Sequence, residues 1–396
     1  MQFIIHKAIF GSPQHYLWDA NSRKGNFVQD IPASAWVIGD STALKSVDLL
    51  ALVEHKEFSA KHEVQARIFE RLGVYDNIPW HKVMPKNQFK SYIKSVLDGA
   101  QLIVKDSNRI YYEKIFISSR GFLDRLGGIK IDKQKLQGYL ETESNPSLRS
   151  ALMTCRPVEN GFSREIRYDL TSSKTGRLTV TDGPRVLTLK KNYRDIFTSE
   201  WEGGSLVAID YKSLEARIAL AIGGQDAIPL DPYLQIAKHS SVDRKTAKIA
   251  TLSIMFGSGT KRIQEATQLT QIEATMLVAY IKDAIGYTRI VEQLKKELAD
   301  TGFITNYYGR KLDPGTTAEH VLYNNYIQST GVDVALLGFS QMEAAVQDNE
   351  FVKPKFIVHD CLYIDIHPEY NSIIKELQSA GLSIPSFTTP FYSSDQ

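Results

Sequence analysis

Two short apolar runs, far apart in the chain, each deliver one aspartate to the end of a strand, and this constrains the fold more than any other feature of the sequence. Leu206-Val207-Ala208-Ile209 reads as a buried strand ending at Asp210, and Leu214, Ile218 and Ile222 then mark one face of a following helix. Phe356-Ile357-Val358 and Leu362-Tyr363-Ile364 flank His359-Asp360-Cys361, which predicts two antiparallel strands with a tight connection and Asp360 at its tip. Singly, each acid has an ordinary use: one caps a helix, the other makes a turn. In one sheet they would stand side by side.

The composition permits such a sheet. The chain has 396 residues, 43% apolar and 10% aromatic, enough for two or three units that each bury a core. Disordered and collagen-like chains are excluded. No apolar run approaches the roughly 18 residues of a membrane span, and Met1-Gln2-Phe3-Ile4-Ile5-His6-Lys7 lacks the layout of a secretion signal, so a soluble cytoplasmic protein is expected. Cys155 and Cys361 are too few and too far apart for a disulfide scaffold or a structural zinc site. With 47 basic against 45 acidic side chains, a polyanion can be held only where cations cluster locally.

They cluster in the middle of the chain. Lys238 to Arg262 holds six basic residues and one acid, Asp243. Within it, Arg244, Lys248, Leu252 and Phe256 recur every four residues, so the Asp243–Gly257 segment predicts a helix with two cations followed by two apolar groups on one face. A purely solvated face would not continue as Leu and Phe. A cationic end suits phosphates, and an apolar end suits a flat base.

Elsewhere the patterns are coarser. The first hundred residues mix short apolar runs (Phe3 to Ile5, Ala35 to Ile38) with helical periodicity at His62 to Leu72 and Phe89 to Leu97, which predicts a small α+β unit. Ile110 to Leu140 reads as helix, turn, short strand, then Asp132 capping a new helix. Glu141 to Glu165 reads as a polar connection, and Ser386 to Gln396 as a surface tail. Two carboxylates at one sheet edge make an oxygen-rich site for Mg²⁺, and two such ions suit in-line phosphoryl transfer.

At this point the residues resemble the family A DNA polymerases, the group of bacterial DNA polymerase I and related phage enzymes. The likeness runs in order from Arg164 to Ile366. Thr175-Gly176-Arg177-Leu178 is similar to the family's TGRL element, and Arg194-Asp195-Ile196-Phe197 to the segment after it. Asp210 to Arg217 resembles motif A, DYSQIELR. Arg244 to Gly257 resembles motif B, Gly302 to Leu312 and Asn324 to Asp333 the palm segments, and Val358-His359-Asp360 motif C. Seven such strings in the right order are a specific signal.

The resemblance implies an α+β right-hand fold with an antiparallel palm sheet, helical fingers and a reduced or replaced thumb. Residues 1–104 would form a small N-terminal α+β domain and possible thumb substitute, 105–222 palm with the reduced thumb region, 223–300 fingers, and 301–396 palm. The implied activity is template-directed extension of a DNA primer with dNTPs, without a 3′–5′ exonuclease or 5′-nuclease. Asp210, Asp360 and the Tyr211 carbonyl would hold two Mg²⁺ ions, with Mn²⁺ as a substitute. Lys248 counts with the two aspartates among the catalytic groups, and Arg244 and Lys248 would grip the triphosphate. Glu215 matches the steric gate against a ribose 2′-hydroxyl. Arg177, Asn324, Gln328 and His359 match groups that hold primer terminus and template.

Departures from the pattern carry expectations of their own. Leu252 stands where the family usually has Phe and Phe256 where it has Tyr, so the apolar platform for the nucleotide survives while the hydroxyl that would brace Glu215 is lost. That implies weaker sugar discrimination. Tyr233 stands where many members place a phosphate-binding His, and Cys361 where a Glu often follows the motif C aspartate. The expected partners are primer–template DNA, dNTPs and a replication accessory protein, and the expected state is a monomer away from membranes. An RNA-synthesising or primer-independent polymerase of the same fold and an inactive nucleic-acid-binding protein are the alternatives; Glu215 argues against the first, the paired aspartates against the second. Replication of a small phage or mobile genome, gap repair and lesion bypass all fit.

Overall fold

Alternation of apolar residues builds a first unit, Met1–Ile117. The computed structural model describes residues 1–7, 12–39, 46–47, 85–105, 107–158, 160–225, 231–381 and 391–395. Five strands form one sheet in the order Lys24–Val28, His15–Asp19, Gln2–Ile5, Trp36–Ile38, Ser46–Val47. The first three are antiparallel, and the last two add in parallel. Side chains alternate across the pleat, so Phe3 and Ile5 face one side and Ile4 the other, all fully buried. The helix Lys86–Lys105 covers the Phe3 side, because Ile93, Val96, Leu97 and Ala100 share one helical face and pack with Phe3, Ile5 and Ile38. The periodicity at His62 to Leu72 lies outside the described residues.

Helix Ser107–Asp124 leads into the second unit, Ser118–Gln396. A short strand, Lys130–Ile131, follows, and then the Asp132 carboxylate caps helix Lys133–Thr142 by accepting from the Gln134 and Lys135 amides. The stretch expected to be a polar connection contains a helix instead, Pro146–Thr154. Asn145 caps it and Pro146 starts it, while Leu148, Ala151 and Leu152 are buried. Its Ser147, Arg149 and Ser150 face solvent, which gives the segment its loop-like composition.

The central sheet of this unit has four antiparallel strands in the order Val352–Val358, Cys361–Ile366, Ser205–Tyr211, Phe391–Asp395. The last of these corrects the expected surface tail: residues 391–395 pair along Ser205–Tyr211 as an edge strand. Pro354 sits in the opposite edge strand, beside a bulge, where a missing N–H is tolerated. One face of the sheet, with Leu206, Ala208, Phe356, Val358 and Tyr363, joins a core that includes Ile129, Leu152 and Ile196.

Val207, Ile209 and Tyr211 alternate to the other face. The rings of Tyr211 and Phe339 lie 5.6 Å apart there, Phe339 being carried by the helix Glu319–Val346. At 28 residues that helix is about 42 Å long. The Tyr211 hydroxyl donates to the Gly381 carbonyl at 3.0 Å, and Gly338 makes the room: a Cβ there would lie 1.6 Å from the phenolic oxygen.

Between the sheet and the long helix the chain runs through a helical block, Leu214–Gly223, Pro232–Ser240, Arg244–Met255, Thr260–Thr267, Gln271–Ala284 and Tyr287–Thr301. Side chains of Asp231, Asp243 and Thr270 cap three of these helices. The architecture is α+β, an antiparallel sheet backed by helices. Among the described residues no helix is long and apolar enough to cross a membrane.

Candidate active site

The two aspartates meet. In the sheet register Asp210 lies opposite Cys361, and the Tyr211 amide donates to the Asp360 carbonyl at 3.2 Å. Directly opposed residues of antiparallel strands have Cα atoms about 5 Å apart, so the tight hairpin sets Asp360 next to Asp210 at one sheet edge. Both are half-buried. Burial, and then the charge of Asp210, push the Asp360 carboxyl up to about 6. Burial and the same two carboxylates raise the Cys361 thiol, which keeps it protonated and inert.

The backbone on either side is strained. His359, one residue before Asp360, has φ 58°, and Ser213, three after Asp210, has φ 57°. Left-handed backbone costs a non-glycine residue roughly 1–2 kcal/mol, and such residues gather where surrounding structure holds a functional geometry. His359 is exposed at the hairpin tip. Desolvation, then the cations Arg177 and Arg194, hold its imidazole below the usual range.

A cleft of about 520 Å³ opens beside Asp360, and Arg177, Leu178, Glu215, Gln328 and His359 are among the side chains that line it. Arg177 donates to Glu215 Oε1 at 2.9 Å. The Gln328 amide lies 2.7 Å from Thr175 Oγ1 and 3.1–3.2 Å from the Arg177 guanidinium; with nitrogen toward Thr175 and oxygen toward Arg177, both sides are satisfied. Glu215 is thus braced by Arg177. Asn324 is half-buried one turn before Gln328 on the same helix.

Beneath this wall lies a buried polar rivet. Gly176 has φ +76°, and a Cβ on it would fall within 2 Å of the Arg310 guanidinium. Arg310 donates to the Leu170 carbonyl and pairs with Asp333 Oδ1 at 3.5 Å, while Asn306 donates to Asp333 Oδ2 at 2.6 Å. Burial raises the Asp333 carboxyl, against the opposing pull of Arg310 and Asn306. These partners fix the Thr175–Leu178 loop against helix Glu319–Val346. Sequence reading took Gly302–Leu312 and Asn324–Asp333 as segments and missed the pairing, which depends on groups separated by 23 positions or more.

The basic helix presents its cations as expected. Arg244–Met255 buries Ala247, Ala250, Thr251, Ile254 and Met255, and leaves Arg244, Lys248 and Phe256 exposed with Leu252 half-buried. None of these four lines the cleft. Arg244 and Lys248 share a contact with Tyr233, which is 3% exposed. The Arg244 Cζ lies 5.5 Å and the Lys248 Nζ 5.9 Å from the Tyr233 ring centre, and its hydroxyl hydrogen-bonds Ser213. Asp231, missed in the sequence, accepts from Arg244 Nε at 2.6 Å.

As a metal site the edge offers the two carboxylates of Asp210 and Asp360, beside a Cys361 thiol that stays protonated. Among the described residues no group of three or more His, Cys, Asp and Glu side chains gathers. A hard cation that keeps places for water and phosphate oxygens fits this set, and a zinc-type cation does not.

No family model matches the chain. It is similar to the DNA polymerase of Mycobacterium phage L5, 24% identical over 182 residues that make up 44% of this chain and 30% of that protein. It is 22% identical over 259 residues to DNA polymerase I of Streptococcus pneumoniae (55% of this chain, 29% of that one). To the thermostable DNA polymerase I of Thermus aquaticus it is 22% identical over 242 residues (53% and 29%). The matched stretch therefore spans under a third of these relatives' length. Among solved structures, the polymerase domain of Pol1 from M. smegmatis, in complex with DNA primer–template and dNTP, matches over 100% of this chain and 94% of its own, with a TM-score of 0.55 at 13% identity.

Proposed function

We propose that this chain is a family A DNA polymerase that extends a DNA primer with dNTPs on a template strand, a reading its fold and its relatives support. The observation that carries the reading is the meeting of Asp210 and Asp360 at one sheet edge, beside a cleft walled by Arg177, Glu215 and Gln328. In this reading residues 105–222 and 301–396 are palm, 223–300 fingers, and 1–104 a domain that holds duplex in place of a thumb.

Asp210, Asp360 and the Tyr211 carbonyl would hold two Mg²⁺ ions, for which Mn²⁺ would substitute. Ions held there would supply Lewis-acid activation of the primer 3′-hydroxyl and charge neutralisation for the leaving pyrophosphate. The chain's own side chains do the rest. Arg244 and Lys248 bind the triphosphate, one through a planar fork and the other as a point charge. Tyr233 takes part through the two cations it carries. Leu252 and Phe256 give the base an apolar surface. Glu215, held by Arg177, fills the space a 2′-hydroxyl would need. Arg177, Gln328, Asn324 and His359 contact the primer terminus and template through atoms that every base pair presents, so that pairing supplies the sequence information.

The test is single-nucleotide extension of a primed template with each dNTP and each NTP, with and without Mg²⁺. Mg²⁺-dependent incorporation of the complementary dNTP alone supports the reading. A preference for NTPs, or no incorporation, contradicts it.

A further inference from the structure

Arg244 is held on one edge before any phosphate arrives. Its Nε donates to Asp231 Oδ2 at 2.6 Å, and the Asp231 side chain is 12% exposed while that of Arg244 is 43% exposed. The carboxylate therefore sits on the protein side of the guanidinium. The other Asp231 oxygen, Oδ1, caps helix Pro232–Ser240 through the Tyr233 and Leu234 amides, so the carboxylate is itself fixed at three points. The Tyr233 ring beneath Arg244 and Lys248 limits how far either cation can swing.

We propose that Asp231 is a positioning residue for the triphosphate: it occupies the Nε edge of Arg244 and leaves the two terminal nitrogens to meet phosphate oxygens end-on. An arginine has five N–H donors in a rigid fork, and one taken by Asp231 leaves four, all on the terminal nitrogens. A long exposed cation otherwise loses rotamer freedom when it binds; here part of that loss occurs on folding. The carboxylate is also a like charge to the ligand, and its burial behind the guanidinium separates it from the phosphates. The inference rests on the proposed dNTP chemistry of Arg244.

The test separates the ion pair from the cap. Asp231→Asn keeps a good helix cap but removes the charge. We expect its thermal midpoint to fall only slightly, by the worth of a partly exposed ion pair, the KM for the complementary dNTP to rise about tenfold, as loss of a charge-assisted bond implies, and kcat to change little. In an Arg244→Lys background, which has no Nε, Asp231→Asn should then add almost nothing. An unchanged or lower KM in Asp231→Asn overturns the proposal, and so does a tenfold effect that persists in full beside Arg244→Lys. A wild-type chain that incorporates no dNTP overturns the functional reading and this inference with it. Incorporation with an unmoved KM overturns the inference alone.

Discussion

Tyr211 ties the helical face of the central sheet to the site: its amide donates to the Asp360 carbonyl at 3.2 Å, and its phenol donates to the Gly381 carbonyl at 3.0 Å on that face. The residue next to one aspartate is thereby bonded to the other and anchored under Gly338 of the long helix.

Gly338→Ala tests that anchor. Alanine in a helix interior normally gains about 1 kcal/mol over glycine, but here the methyl would overlap a phenol that is 1% exposed and has nowhere to move. Overpacking of that kind costs about 1–3 kcal/mol, so the net change is a loss. Tyr211→Phe removes the hydroxyl and its bond, at about 1 kcal/mol. The pair should destabilise less than the sum of the singles in urea unfolding; strict additivity would place the two groups apart.

Asp210→Asn and Asp360→Asn should each stabilise the metal-free protein while abolishing incorporation. The Asp360 carboxyl is pushed up to about 6 by burial and by Asp210, a sign that the pair of charges costs folding energy. Removing one charge should return about 1–2 kcal/mol, read as a rise of a few degrees in Tm. A fall in Tm for both variants contradicts the proximity of the carboxylates.

Much of this was legible in the sequence, for reasons of period and punctuation. Unbroken apolar runs ending at or flanking an acid marked the strands that carry Asp210 and Asp360, and a four-residue spacing marked the exposed cationic face of Arg244–Met255. Helix Pro146–Thr154 was hidden because only Leu148, Ala151 and Leu152 face its core, although Asn145-Pro146 is a start signal. The edge strand at residues 391–395 was hidden in a Ser- and Thr-rich stretch, because an edge strand is specified by its partner's open hydrogen bonds rather than by its own pattern. The bracing of Glu215 by Arg177 and of Arg244 by Asp231 depends on loops closing in space, which no local period encodes.

Asp333→Ala should cost about 3–5 kcal/mol, because it leaves the buried Arg310 without its counter-charge. The same change should loosen the Thr175–Leu178 loop and weaken primer–template affinity, read by equilibrium binding to a labelled duplex. Full stability in the variant would mean that Arg310 finds another partner.

Asp231 gives the stability an acid dependence of known sign. Burial pushes its carboxyl up, but Arg244 and the two cap amides outweigh that and hold it below the usual range. A lowered folded-state value means stability that is present above the unfolded value near 4 and lost as pH falls through the folded one. The gap in unfolding free energy between wild type and Asp231→Ala should be about 1–2 kcal/mol at pH 7, from a cap and a partly exposed ion pair. It should narrow steadily below pH 4; a gap that is constant with pH would show that the carboxylate charge contributes nothing.

The central claim is that Asp210 and Asp360 act together on one incoming nucleotide, and rapid-quench extension of a defined primer–template by wild type, Asp210→Ala and Asp360→Ala tests it most directly. The account predicts Mg²⁺-dependent copying by wild type that halts where the complementary dNTP is withheld. It predicts a loss of incorporation of at least about a thousandfold in each variant, the scale on which electrostatic groups act in such steps, with duplex binding retained. Incorporation near the wild-type rate by either variant would contradict it.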